Sequence, residues 1–208
     1  DFKLRPFQRE IVESIYAEDA TGNRFVRQAL ITMPRKNGKT GLTAPLALLH
    51  FCGPEAVERG QVYSAAAERQ QAALLFNEMK AMIERDSVLK ERVIVREFVK
   101  QLEDVKTGSV FFAISAEATT KHGFSANCWI YDELAQAKDR KLYDVLSTST
   151  AAHKEPLSII ISTQSHDPNH IMSELVDYGL RVNSREITDP AFYASIYTAP
   201  EDSNPWDE

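Results

Sequence analysis

The chain has 208 residues, 43% of them hydrophobic and 26% charged, ordinary values for a globular protein and enough for one α/β domain with a full core. No apolar run approaches the roughly 20 residues of a membrane-spanning helix. The net charge of −6 argues against a nucleic-acid partner, but the last twenty residues hold five of the 30 acids (Asp189, Glu201, Asp202, Asp207, Glu208) and none of the 24 bases. The remainder is near neutral, which leaves room for a local basic patch. Asp1-Phe2-Lys3-Leu4-Arg5-Pro6 lacks the basic-then-apolar pattern of a secretory leader, and the missing initiator Met suggests a fragment. Cys52 and Cys128 lie in apolar segments and read as reduced core thiols, which points to a cytosolic setting.

In chain order, Phe7, Ile11, Ile15 and Tyr16 recur at helical spacing. Ala29 to Met33 is a short apolar run fit for a buried strand. A Gly/Lys-rich loop and a helix to about Phe51 follow, ended by Cys52-Gly53-Pro54. Gln61 to Ala65 is a second strand. Ala67 to Arg85 reads as a helix with a stripe of Leu75, Met79, Met82 and Ile83. Arg92 to Phe98 and Ser109 to Ile114 read as strands of a small antiparallel insertion beside the main sheet. Cys128 to Tyr131 is a buried strand ending in two acids, Lys138 to Thr148 a helix, and Leu157 to Ser162 the clearest buried strand. Asp167 is placed to cap a helix that has Pro168 at its first position and ends near Gly179. Phe192 to Tyr197 is the last strand, and the tail from Ala199 reads as a linker. Strands alternating with helices predict a mainly parallel sheet covered on both faces.

Three strand ends carry chemistry. Met33-Pro34-Arg35-Lys36-Asn37-Gly38-Lys39-Thr40 follows a strand and opens a helix, the context of a P-loop. Backbone N–H groups at such a helix start surround an anion. Gly38 lets the backbone approach phosphates, Lys39 reaches the β- and γ-phosphates, and Thr40 offers a hydroxyl to Mg²⁺. Arg35 and Lys36 add two positive charges there. The first Gly of the usual pattern is replaced by Met33. Asp132 and Glu133 follow Trp129-Ile130-Tyr131 as a Walker B element does. Asp132 is then the Mg²⁺ acid and Glu133 the base that orients and deprotonates the attacking water. Ser162, Thr163 and Gln164 end the third strand, placed to sense the γ-phosphate.

Other groups carry less. His166 and His170 stand four residues apart but have no third ligand at a suitable spacing. Lys121, in Thr119-Thr120-Lys121-His122-Gly123, sits on a loop from which it could point at a neighbouring subunit's nucleotide.

The four segments Leu4-Arg5-Pro6-Phe7-Gln8, Arg35 to Thr40, Trp129 to Leu134 and Ser162 to Gln164, in that order, resemble those of large terminase subunits of tailed phages, particularly the lambdoid group with HK97-like capsids. Thr120 to Gly123 and Leu142 to Leu146 are similar to segments of the same group. The resemblance implies a P-loop NTPase of the RecA-like (ASCE) type, with an additional strand between the P-loop strand and the Walker B strand. It implies ATP and Mg²⁺ as ligands, with Gln8 reading the adenine edge and Phe7 packing beside it. It further implies residues 1–198 as an ATPase domain and 199–208 as an acidic linker toward a C-terminal nuclease domain. The implied partners are double-stranded DNA, a portal protein, a small terminase subunit and further copies of the chain in a five-membered ring, all in the cytoplasm of an infected bacterium. Two other readings stay open: a superfamily 2 helicase-like ATPase, which needs a second RecA-like domain, and a nucleotide-binding assembly protein that does not turn over, against which Glu133 speaks.

Overall fold

In the computed structural model, residues 3–34, 37–116 and 123–197 are described. Eight strands form among the described residues, most of them from apolar runs with little helical periodicity. They are β1 (Gln28–Thr32), β2 (Gln61–Ala66), β3 (Val93–Arg96), β4 (Gln101–Asp104), β5 (Val110–Ser115), β6 (Cys128–Asp132), β7 (Leu157–Ser162) and β8 (Phe192–Ile196). The helices are α1 (Pro6–Ile15), α2 (Lys39–Phe51), α3 (Arg69–Arg85), α4 (Ser87–Arg92), α5 (Lys141–Ser149) and α6 (Ile171–Asn183).

The strands form a single sheet in the order β3-β4-β5-β2-β6-β7-β1-β8. From β5 to β8 every pairing is parallel, while β3-β4 and β4-β5 are antiparallel. All six residues of β7 are buried, since it has a parallel neighbour on each side and helices above and below. Alternation divides its side chains. Ile159 and Ile161 face a core with Ala29, Ile31 and Ile130 and the helical residues Ile11, Leu42, Leu46, Phe76 and Met79. Ile160 faces a second core with Leu30, Trp129, Tyr131, Leu142, Leu146 and Leu175. Helices α1, α2 and α3 therefore cover one face, and α5 and α6 the other. No helix among the described residues is long and apolar enough to cross a membrane.

Three expectations need correction. The antiparallel region is not an insertion beside the sheet but its edge: residues 110–115 pair parallel with β2 and belong to the main sheet. A further strand, β4, and a short helix, α4, occupy stretches whose sequence reads as polar connection or as strand. Asp104, fully buried, holds this edge together by accepting from the Arg92 guanidinium, the Thr107 hydroxyl and the amides of Lys106 and Thr107. Finally, α6 is capped by His170, whose Nδ1 accepts from the Met172 amide. Asp167 instead closes a local turn on the Asn169 amide, and Pro168 lies outside the helix.

At the opposite end of the sheet from the strand tips, Arg24 is buried among fixed acceptors. It donates to the carbonyls of Val26, Glu155 and Pro156 and to the Glu55 carboxylate. These bonds compensate the desolvation of its charge.

Candidate active site

The parallel strands bring their carboxyl ends to one edge, where ligands of such sheets bind. Since β7 separates β1 from β6, the loops that leave these three strands are neighbours. Backbone bonds extend the ladder past the strands: Glu133 N–H donates to the Ile161 carbonyl at 2.9 Å and Met33 N–H to the Ser162 carbonyl at 3.1 Å. Met33, standing where the usual loop has its first Gly, is buried and packs into the core below.

Gly38 precedes α2 at φ +75°, left-handed backbone that Gly adopts without steric cost. It starts the helix and leaves the first-turn amides facing outward. Lys39 and Thr40 follow as the first two residues of α2. A cleft of about 250 Å³ is lined by Gly38, Lys39, Thr40, Gly41, Gln71, Asp132 and Glu133.

Glu133 lines it in a left-handed conformation, φ 55° and ψ 52°, which costs a non-Gly residue on the order of 1 kcal/mol and is a known mark of functional positions. Its Oε1 accepts from Lys39 Nζ in a buried ion pair. Its Oε2 accepts from the Thr163 amide at 3.2 Å and the Thr163 hydroxyl at 3.1 Å. Burial alone raises the Glu133 pKa. The Lys39 and Thr163 bonds outweigh it and hold the carboxyl below its ordinary value.

Asp132 ends β6, and its Oδ2 accepts from the Gln71 side-chain amide at 2.9 Å. Burial pushes its pKa up, and the neighbouring Glu133 charge adds to this against the Gln71 bond. Gln71 is not among the residues that the sequence singles out. The available signal was its place: in the first turn of the helix after β2, and β2 pairs with β6.

The other expected residues fall in different places. Gln8 is buried, and its amide nitrogen is the nearest group to the open side of Gly38, 3.9 Å from where a Cβ would stand. Its Oε1 accepts from the Arg5 amide at 2.9 Å. Phe7 meets the ring of Tyr197 edge-on at 6.1 Å. Asn37 donates to the Pro34 carbonyl. Thr163 joins the cluster, and Gln164 is exposed beyond it. Ser162 does not join. It is fully buried, and its hydroxyl accepts from the Ala135 amide, which steadies the turn behind Glu133. Arg35, Lys36 and Lys121 lie outside the described residues, as does the tail from 198. His170 donates its Nε2–H to the Ala137 carbonyl and accepts at Nδ1 from the Met172 amide, so both of its ring nitrogens are engaged. Among the described residues no group of three His, Cys, Asp or Glu gathers as a metal site.

A Gly-Lys-Thr loop after β1, an acid pair after β6 and one strand between them define a P-loop NTPase of the additional-strand type. Within that class the chain belongs to the terminase large subunit family, as its ATPase domain: the family model "Terminase large subunit, ATPase domain" matches residues 6–181. The large terminase subunit of Enterobacteria phage HK97 is 34% identical over 204 residues, covering 97% of this chain and 39% of that protein. The crystal structure of the HK97 bacteriophage large terminase matches with a TM-score of 0.86 and 35% identity, over 98% of this chain and 41% of the other. The ATPase domain of the Thermus phage P74-26 large terminase shares the fold, with a TM-score of 0.71 at 17% identity over 93% of this chain and 80% of that one. The chain thus spans about two fifths of the length of its HK97 relative.

Proposed function

We propose that this domain hydrolyses ATP to drive double-stranded phage DNA into a procapsid. The observation that carries the chemistry is the meeting of Lys39, at the start of α2, with Glu133 and Thr163, from the segments that follow β6 and β7, in one hydrogen-bonded cluster. Lys39 exchanges the Glu133 carboxylate for the β- and γ-phosphates. The Gly38 backbone and the first turn of α2 cradle the same anion. Glu133, released from Lys39 and still held by Thr163, orients the attacking water and accepts its proton. Thr163 and the exposed Gln164 register the γ-phosphate. Gln8 reads the adenine edge, with Phe7 beside it.

Thr40 and Asp132 line the same cleft and offer the hard oxygen donors that suit Mg²⁺, which keeps several of its waters. When bound, the ion neutralises charge developing on the phosphates. Arg35 and Lys36 add positive charge to the loop by sequence, and Lys121 is assigned to a neighbouring subunit's site. The remainder of the protein supplies a nuclease domain. Portal protein, a small terminase subunit and a five-membered ring are the partners this reading requires, in the host cytoplasm.

The test is Glu133→Gln in full-length protein. The variant keeps the shape and loses the base, so turnover should fall by on the order of 10²-fold or more while ATP still binds. Parent-like turnover would remove Glu133 from the mechanism.

A further inference from the structure

We infer that Gln71 is a positioning residue for metal-dependent nucleotide binding, holding the Asp132 carboxylate in the orientation from which it receives the ion. The inference deepens the proposed function and rests on Asp132 being the metal's acid. A carboxylate only accepts hydrogen bonds when ionised, so the group facing Asp132 Oδ2 at 2.9 Å is the NH₂ of the Gln71 amide. Gln71 is the side-chain donor to Asp132 among the described residues, just as Lys39 and Thr163 are the donors to Glu133. Each acid of the pair thus has its own holder.

The backbone that carries Gln71 is fixed. It is the third residue of α3, and the next residues on the buried face, Ala72, Leu75 and Phe76, are packed into the core. The turn from β2 into α3 delivers that first helical turn to the strand end beside β6, because β2 and β6 are hydrogen-bonded neighbours. The side chain lines the same cleft as Thr40 and Asp132. An aspartate χ2 is otherwise broad and roughly two-fold, and a carboxylate that contacts an ion through water needs one orientation. Groups that hold metal-binding carboxylates in this way typically change metal affinity by 10–100-fold when removed.

The experiment uses full-length parent, Gln71→Ala, Gln71→Met and Asp132→Ala. Mn²⁺ serves as probe, followed by the electron paramagnetic resonance of the free ion in the presence of ADP. ADP binding is measured separately in EDTA by calorimetry. Gln71→Met keeps length and apolar bulk without the donor, and its melting temperature reports whether the helix is intact. Mn²⁺ binding should weaken on the order of tenfold in both Gln71 variants, with metal-free ADP binding unchanged. Parent-like Mn²⁺ binding in both, with Asp132→Ala impaired, overturns the role of Gln71 alone. Equal loss with and without metal overturns it too, since that is the signature of a helix-packing residue. If Asp132→Ala binds Mn²⁺ as the parent does, the assignment of the acid fails and the Gln71 inference falls with it.

Discussion

Lys39 and Glu133 are only 9% and 7% exposed, and in the cleft they neutralise one another. On the proposed function a charged pair so placed competes with phosphate, because Lys39 would have to leave the carboxylate to reach ATP. Glu133→Gln keeps the Thr163 bonds, because the amide oxygen accepts from the same donors, but leaves Lys39 with a neutral partner. Nucleotide affinity should therefore rise rather than fall, by roughly fivefold if the pair is worth about 1 kcal/mol. Calorimetry of a non-hydrolysable analogue checks this, and a weaker variant would show that the pair does not compete with binding. At this scale the sequence was informative about identities and silent about partners. The strand–loop–helix context marked Lys39, and the apolar run marked Asp132 and Glu133. The Gln71 bond and the inward turn of Ser162 depend on which strands are neighbours, which no local pattern reports.

Among the elements, α6 shows how closely a helix can approach the sheet. A Cβ on Gly179 would stand 2.8 Å from Ala194 Cβ and 3.1 Å from Ile196 Cδ1. Ala is favoured over Gly inside a helix by about 1 kcal/mol, so propensity alone predicts that Gly179→Ala stabilises. Overpacking costs about 1–3 kcal/mol, and here the nearest atom is a short, rigid Ala on β8. The net expectation is a loss of roughly 1 kcal/mol in urea unfolding, and a gain would mean that α6 can shift outward freely. By sequence Gly179 reads as the end of this helix, which continues to Asn183. The parallel strands were legible because burial on both faces makes them continuous apolar runs. β4 was not: Gln101-Leu102-Glu103-Asp104 buries Leu102 and an Asp104 whose charge is compensated by Arg92. Its composition reads as solvent-exposed loop, and tertiary pairing overrides that reading.

For the whole molecule, acid stability has a distinct contribution from the face covered by α1 and α2. His50 is buried, its Nε2 2.9 Å from the Tyr16 hydroxyl. Burial, with a smaller part from the Arg24 charge, lowers its pKa from 6.5 to about 3. The folded pKa is the depressed one, so above pH 6.5 both states are neutral and nothing is lost. As pH falls from 6.5 towards 3, the unfolded chain gains a proton that the folded one refuses, at about 1.4 kcal/mol per pH unit. His50→Gln removes this titration. The stability difference between parent and variant should shift against the parent by about that slope between pH 6.5 and 4.5, measured by urea unfolding. A constant difference would mean that His50 protonates freely in the fold.

The central strand β7 has a mechanical consequence. It is locked on both sides by ladders of five paired residues, to β1 and to β6, and it carries Thr163 at its tip. To slide along its axis it would have to break both ladders at once, so the strand cannot serve as a piston. On the proposed function, any displacement that follows phosphate cleavage falls to the segments that leave the strand ends and to the helices they lead into. The sheet would then be the stationary frame against which those parts push.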